Sequence, residues 1–236
     1  MQGFLYFCNN KRIICRRHFQ VVKMKKSNKI STKQRIIDTA VDLFNKDGVQ
    51  SITSRHIAKE MGISNGNLDY HFRNKEALLL AIYEQMRAEM SDSYRATDTV
   101  GGSFEQLHRL LLHLEAFQYK FRFFNLDVLE ISRAYPQINR LLKHTIQIRK
   151  EQMADMLKQA ITDGFFVQET EENIRQLLLS IRIIITFWLS HEELTSDSSS
   201  KKQKSNMSKH IWQLLRPYMT ERGHLSYQAL VEGSGV

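Results

Sequence analysis

The sequence is short of the residues that interrupt regular secondary structure. It has only two prolines and ten glycines in 236 residues, which favours long helices over many short strands. Both of its cysteines, Cys8 and Cys15, lie near the N-terminus, so we expect no disulfide framework and a reducing, cytoplasmic environment. Without further cysteines, a zinc site is not expected either.

Patterns typical of catalytic sites and membrane spans are also missing. The nine histidines form no HExxH motif, and the sequence contains no glycine-rich phosphate loop and no GxSxG. The most apolar run, at 177–190, is shorter than the roughly twenty residues of a membrane helix and contains Arg182. We therefore predict a protein that is not an enzyme, needs no cofactor or metal, and does not enter the membrane.

The positive charge is concentrated at one end of the chain. The net charge is +9, but residues 1–30 hold eight lysines and arginines and no acidic residue. We interpret residues 1–29 as a disordered basic extension, with 1–23 upstream of a native start at Met24. The alternative is an arm that lies along DNA phosphates or in a minor groove.

The most specific pattern lies at 53–75, which reads TSRHIAKEMGISNGNLDYHFRNK. Its apolar residues recur at helical spacing in two groups, Ile57, Ala58 and Met61, then Leu68 and Phe72. Gly62 suits the end of the first helix, and Ser64 suits the cap of the second. Two short helices joined by a turn of three or four residues predict a helix-turn-helix.

The second of these helices is expected to expose a polar face. With Leu68 and Phe72 turned inward, the outward residues are Asn65, Gly66, Asn67, Tyr70 and His71. Short, amide-bearing and aromatic side chains suit reading base edges and holding phosphates better than plain solvation.

The remaining chain reads as helices throughout. A first helix begins at Thr32, Asn74 caps a fourth that runs to about Tyr94, and the polar break at 96–103 separates two domains. Later helices are predicted at about 104–117, 137–163, 171–191 and 207–220. The predicted fold is all-α, with a three-helix helix-turn-helix domain at 30–95, a larger helical domain at 96–222 and a flexible tail at 223–236.

Residues 33–83 resemble the DNA-binding domain of the TetR family of bacterial transcriptional regulators. The resemblance rests on IIDTAVDLFNKDGVQSIT, SRHIAKEMGIS and NLDYHFRNKEALL. Leu68, His71, Phe72 and Lys75 match the family's Leu-Tyr-x-His/Tyr-Phe-x-x-Lys string, whereas Asp69 stands where tyrosine is usual. The resemblance implies a larger domain that binds a ligand and forms the dimer.

The resemblance also implies which residues contact DNA. Arg55 would bind guanine O6 and N7, Thr53 and Ser54 would touch phosphate, and Lys75 would clamp a phosphate. The full expected set is Thr53, Ser54, Arg55, Asn65, Gly66, Asn67, Tyr70, His71 and Lys75.

Several of these residues have alternative interpretations. Thr53 is a helix cap as well as a contact, Tyr70 alternatively packs on the first helix, and His71 alternatively forms a partly buried hydrogen bond. Asp69 is repelled by phosphate, although it can accept from cytosine N4 or orient Arg73.

The larger domain is expected to form the dimer and hold an effector. A helix that is apolar on all faces must be buried on all faces, and the family pairs its last two long helices between subunits. We therefore predict a homodimer through the helices near 171–191 and 207–220, binding a palindromic double-stranded operator. The aromatic and histidine residues predict a pocket for a small-molecule effector, with ordinary core as the alternative. The candidate pocket residues are His113, Phe117, Phe121, Phe124, His144 and Trp188.

These expectations favour a TetR-type regulator, a repressor released from its operator by a small molecule. The alternative is a ligand-binding or scaffold protein of the same fold whose DNA role is weak or activating. Asp69 and the near-neutral charge of the chain after residue 30 leave this alternative open.

Overall fold

The structure, a computed structural model, describes residues 31–97, 101–195 and 207–233. The helices of these ranges are α1 Thr32–Asp47, α2 Ser54–Glu60, α3 Asn65–His71, α4 Lys75–Thr97, α5 Ser103–Lys120, α6 Arg122–Leu126, α7 Val128–Ala134, α8 Pro136–Thr162, α9 Glu171–Thr195, α10 Met207–Leu215 and α11 Glu221–Tyr227. A short 3₁₀ turn at Arg216–Tyr218 lies between α10 and α11, and a π-helical turn at Gln228–Glu232 follows α11. The all-α prediction is confirmed, and the predicted basic extension at 1–29 lies outside the described residues.

Side-chain caps start the N-terminal helices where the sequence places them. The Ser64 hydroxyl accepts from the Asn67 backbone N–H at 3.2 Å, and the Asn74 side chain accepts from the Ala77 N–H at 2.8 Å. Gly62 closes α2 with φ of +66°, a left-handed conformation that side chains disfavour. These signals fix the turn between α2 and α3.

The first core buries the inner faces of the helix-turn-helix, and it does not stop at the predicted domain boundary. Its N-terminal members include Ile36, Phe44, Ile57 and Leu68. The same cluster continues into the loop-and-helix region after α5, through Phe121, Phe123, Phe124, Ile131 and Ile138. The aromatic segment that follows α5 thus forms two short helices, α6 and α7, packed against the DNA-binding helices.

A second core lies among α5, α8, α9, α10 and α11, and Trp212 is its largest fully buried side chain. The Trp212 ring stacks on Phe104 with ring centroids 4.7 Å apart, and its indole N–H donates to His108 Nδ1 at 3.2 Å. Burial, with Arg109 nearby, lowers the pKa of His108. A neutral imidazole at this position is the acceptor that the indole needs.

The chain beyond Gly223 was predicted to be a flexible tail, and up to residue 233 this prediction is wrong. Thr220 caps α11, Tyr227 is buried and packs edge-on against Trp212, and Gly223 lies against the Phe165 carbonyl. The sequence marks Gly223 as a break, but here its missing side chain lets two backbones approach. No helix of the described residues is long and apolar enough to cross a membrane.

Gly223→Ala is expected to destabilise the protein, because a Cβ would overlap the Phe165 carbonyl. Overpacking of this kind costs about 1–3 kcal/mol. Gly233→Ala is the matched control, since a Cβ added there would lie 3.4 Å from the Gln228 carbonyl oxygen and would not overlap it. Urea unfolding should show a lower midpoint for the first variant only, and equal midpoints would mean that α11 is not packed as described.

Candidate nucleic-acid interface

Helix α3 presents a polar face held from behind by two apolar anchors. Leu68 and Phe72 are 1% and 4% exposed, whereas Tyr70 is 85% exposed. Asn65, Gly66, Asn67 and Asp69 also face solvent. Since the anchors are four residues apart, the opposite side of the helix is free to meet a ligand.

The structure distinguishes between the alternative roles of Tyr70 and His71, the aromatic pair on α3. The Tyr70 ring lies in solvent and meets the His71 ring edge-on, with centroids 5.2 Å apart, so it does not pack on α1. His71 is half-buried. In the part of the chain that the structure describes, no ion pair joins Asp69 to Arg73, so the carboxylate is not engaged by that neighbour.

A capping box shapes the start of α2, and the sequence predicts only the Thr53 half of it. The Thr53 hydroxyl accepts from the His56 backbone N–H, and His56 Nδ1 accepts in return from the Thr53 N–H at 3.3 Å. The box usually has glutamate or glutamine at the third position, which is why the His56 role was missed. The cap leaves Ser54 half-buried and Arg55 exposed at the first turn.

Lys75, expected to clamp a phosphate, is directed inward. Its ammonium donates to the Val49 carbonyl and lies 5.8 Å from the centre of the Phe44 ring. Burial lowers the pKa of Lys75, and nearby Glu130 partly offsets this. Binding of a phosphate by Lys75 would require its ammonium to leave Val49.

Polar contacts join the helix-turn-helix to the aromatic segment after α5. The Asn45 side-chain amide donates to the Lys120 carbonyl at 2.9 Å, and its oxygen accepts from the Phe123 N–H at 3.0 Å. The Asp127 carboxylate accepts from the Val49 N–H at 3.0 Å. We call these contacts the joint. Sequence periodicity carries no signal for it, because each contact spans more than seventy residues.

Aromatic rings pack beside the joint. Phe44 of α1 meets Phe123 at 5.4 Å between centroids, and Tyr83 of α4 stacks on Phe124 at 5.2 Å. Side chains predicted to line a pocket therefore include members of the core shared with the DNA-binding helices.

The six predicted pocket residues lie in different environments, from the buried core to the exposed surface. Phe121 and Phe124 are core residues, Phe117 packs on Phe121, and Trp188 packs on the His210 ring. His144 is exposed, and His113 is half-buried.

A groove of about 830 Å³ lies elsewhere, between α8 and α9, with Met90 and Leu114 at its floor. None of the six lines it. Its volume falls in the range of roughly 300–1,000 Å³ that is typical of ligand pockets. Among the described residues, no cluster of side chains has the composition of a metal site.

Comparison with known proteins decides the family. The sequence profile described as "Bacterial transcriptional repressor", TetR, matches residues 85–227, and the profile for bacterial regulatory proteins of the tetR family matches 36–82. The chain belongs to the TetR family. The members of this family are bacterial transcriptional regulators that bind DNA and small-molecule ligands and act as dimers.

Individual relatives match over different lengths. The tetracycline repressor protein class A of Escherichia coli is 46% identical over 54 residues, which are 23% of this chain and 25% of that protein. The regulator SAB2452 of Staphylococcus aureus is 28% identical over 64% of this chain and 92% of its own. The chain thus aligns with only a quarter of the tetracycline repressor's length.

Solved structures reproduce the fold of this TetR-family chain. A TetR-family regulator from Marinobacter aquaeolei VT8 superposes with a TM-score of 0.78 over 86% of this chain and 98% of its own, at 21% identity. The helix-turn-helix and the larger helical domain are therefore confirmed together. The individual DNA-contact residues remain predictions.

Replacing Lys75 with methionine should lower the free energy of unfolding by about 1–3 kcal/mol, because the Val49 carbonyl loses its donor. Lys59→Met, at an exposed position on α2, should leave urea unfolding unchanged. The opposite result would support the phosphate clamp. In that case stability would stay constant, and the salt dependence of DNA binding would lose a slope of about one.

Proposed function

We propose that the protein is a repressor that binds a palindromic operator as a homodimer and leaves it when a small molecule binds. This role places it with the DNA, in the cytoplasm. The observation that carries the proposal is the exposed polar face of α3, fixed from behind by the buried Leu68 and Phe72.

Each end of this face has a distinct part in the proposed complex. Asn65, Gly66 and Asn67 lead α3 into the major groove, where amide side chains pair with base edges. Tyr70 and His71 flank them, and Thr53 and Ser54 approach the backbone at the start of α2. Arg55 is exposed on the first turn of α2 and is the proposed guanine reader.

The dimer is proposed to form through α9 and α10. On α9, Leu179, Ile183 and Phe187 follow at four-residue spacing and are 39%, 51% and 48% exposed. Leu194, at 87%, extends the stripe by two turns. Contiguous exposed apolar side chains mark an interaction surface. The outward residues of α10, such as Lys209 and Gln213, are polar and would lie at the rim.

Release by a ligand needs a path from the larger domain to the DNA-binding helices. Helix α9 forms one wall of the groove, and its Glu193 pairs with Arg122 of α6 at 2.6 Å. The joint then links α6 to α1 through Asn45. A ligand that favours one arrangement of these contacts shifts the operator affinity by no more than its own preference for that state.

A second candidate role is a ligand-binding protein of this fold with a weak or activating DNA function. Asp69 favours it, because its exposed carboxylate stands in the middle of α3 and repels phosphate. The operator experiment separates the two roles.

Mobility shifts with the DNA upstream of the protein's own gene should show a specific complex at moderate salt. Arg55→Ala should cost about 1–3 kcal/mol, and only on sequences that keep guanine at one position. Lys59→Ala, on the same helix, is the matched control. The absence of a specific shift would contradict operator binding, and an equal loss on all sequences would make Arg55 a phosphate contact.

Ile183→Glu should convert the dimer to monomers in sedimentation experiments, because a charge would be buried in the apolar stripe. Leu129→Glu is a matched control on α7, where Leu129 is 58% exposed. It should leave the assembly unchanged. A dimer that survives Ile183→Glu would rule out α9 as the interface.

A further inference from the structure

The groove between α8 and α9 has an unusual combination of apolar walls and positive charge. Its apolar residues come from both helices and include Met153, Ala154, Leu178, Ile181 and Ile185. Five of its lining residues are cationic, Arg149, Lys150, Lys158, Arg175 and Arg182, whereas Glu171 is the one acidic residue among them. This composition disfavours a cationic ligand and favours an amphiphile with an anionic end.

The positive charges are compensated to different degrees along the groove. Helices α8 and α9 are consecutive and joined by a short loop, so they run antiparallel. Lys158 and Arg175 therefore share the end near the loop, where Arg175 pairs with Glu172 and Glu171 lies close by. Acidic groups balance that end.

Arg182, in the middle of the groove, has no such acidic partner among the described residues. Arg182 is half-buried, in an otherwise apolar stretch of α9. Within the described ranges, its guanidinium has neither a hydrogen bond nor an ion pair. Burying part of a guanidinium without a partner costs free energy, which a bound anion would recover.

We infer that the groove binds a single-chain aliphatic carboxylate, with the carboxylate on Arg182 and the chain along the apolar walls. A guanidinium offers two parallel N–H donors that match the two oxygens of a carboxylate. Met153 and Ile181 would contact the aliphatic chain next to the carboxylate. Leu178 would contact the same chain nearer to the loop between α8 and α9. Leu179, Ile183 and Phe187 of the exposed stripe of α9 also line the groove, so the dimer proposed above would close over a bound ligand.

This inference rests on the proposed function for its biological meaning, since the carboxylate would be the effector. Its physical content is independent of DNA. Binding is therefore measured on the full chain alone, by calorimetric titration with decanoate below its micellar concentration. Decan-1-ol and decyltrimethylammonium, with the same chain length and a neutral or cationic end, are the comparison ligands.

Decanoate is expected to bind at least tenfold more tightly than either comparison ligand. Arg182→Gln should weaken decanoate binding roughly tenfold or more and leave decan-1-ol binding unchanged, because only the charged contact is lost. Lys158→Gln is the matched control. It removes one positive charge from the same groove at its balanced end, and it should change the affinity less than threefold.

Three results would overturn the inference. The first is equal or tighter binding of the cationic ligand, and the second is equal loss in the two variants. The third is the absence of binding by the wild-type protein, as expected if a second copy occupies the groove. A protein that binds decanoate but no operator would overturn the proposed function and leave the groove assignment standing. The reverse pair of results would do the opposite.

Discussion

The structure depends on the backbone between α1 and α2, which α4 and the segment after α5 hold in place. The Val49 N–H is bound by Asp127, its carbonyl is bound by Lys75, and Asn45 fastens the end of α1 to the segment after α5. Hydrogen bonds between partly buried groups are each worth about 1 kcal/mol, and losing one partner costs more than the bond itself contributes. Phe123 and Phe124 pack against Phe44 and Tyr83 beside them, so apolar burial and hydrogen bonding act at the same place.

This arrangement explains how a small helix-turn-helix is stable. Helices α2 and α3 have seven residues each, which is too short for stability by themselves. They are ordered by a core that extends to Ile138 at the start of α8. The Arg122–Glu193 pair joins α6 to α9, which forms one wall of the groove, so the ligand release proposed above would act through these packed contacts.

The sequence is informative wherever the deciding interaction is local. The caps at Thr53, Ser64 and Asn74 are interactions between neighbours, and they appear in the structure as predicted. The exposed side of α3 follows from the same logic, because the two buried anchors Leu68 and Phe72 determine which residues point outward. Asp69 remains exposed there, as its position on the helix predicts.

The sequence is uninformative where distant segments meet. Phe121 and Phe124 look like pocket residues in a list of aromatics, and only the packing of α6 against α1 and α4 makes them core. Lys75 matches a phosphate-binding position, yet the Val49 carbonyl is its partner. Gly223 resembles the start of a loose tail, although it is the point where α11 docks beside Phe165. The groove was likewise not predicted, because the run at 177–190 is apolar throughout and its pattern does not show which faces are buried.

Because of the shared core, we expect the DNA-binding helices and the larger domain to fold as one cooperative unit. The chain has two tryptophans, Trp188 and Trp212, and both lie in the larger domain. The direct test is urea unfolding of Ile36→Ala, a fully buried position in α1, followed by tryptophan fluorescence. If the two parts unfold cooperatively, the urea midpoints by fluorescence and by helical signal should fall together. The free energy of unfolding should fall by about 2–5 kcal/mol. A fluorescence midpoint unchanged from the wild type would show that the DNA-binding helices and the larger domain unfold separately.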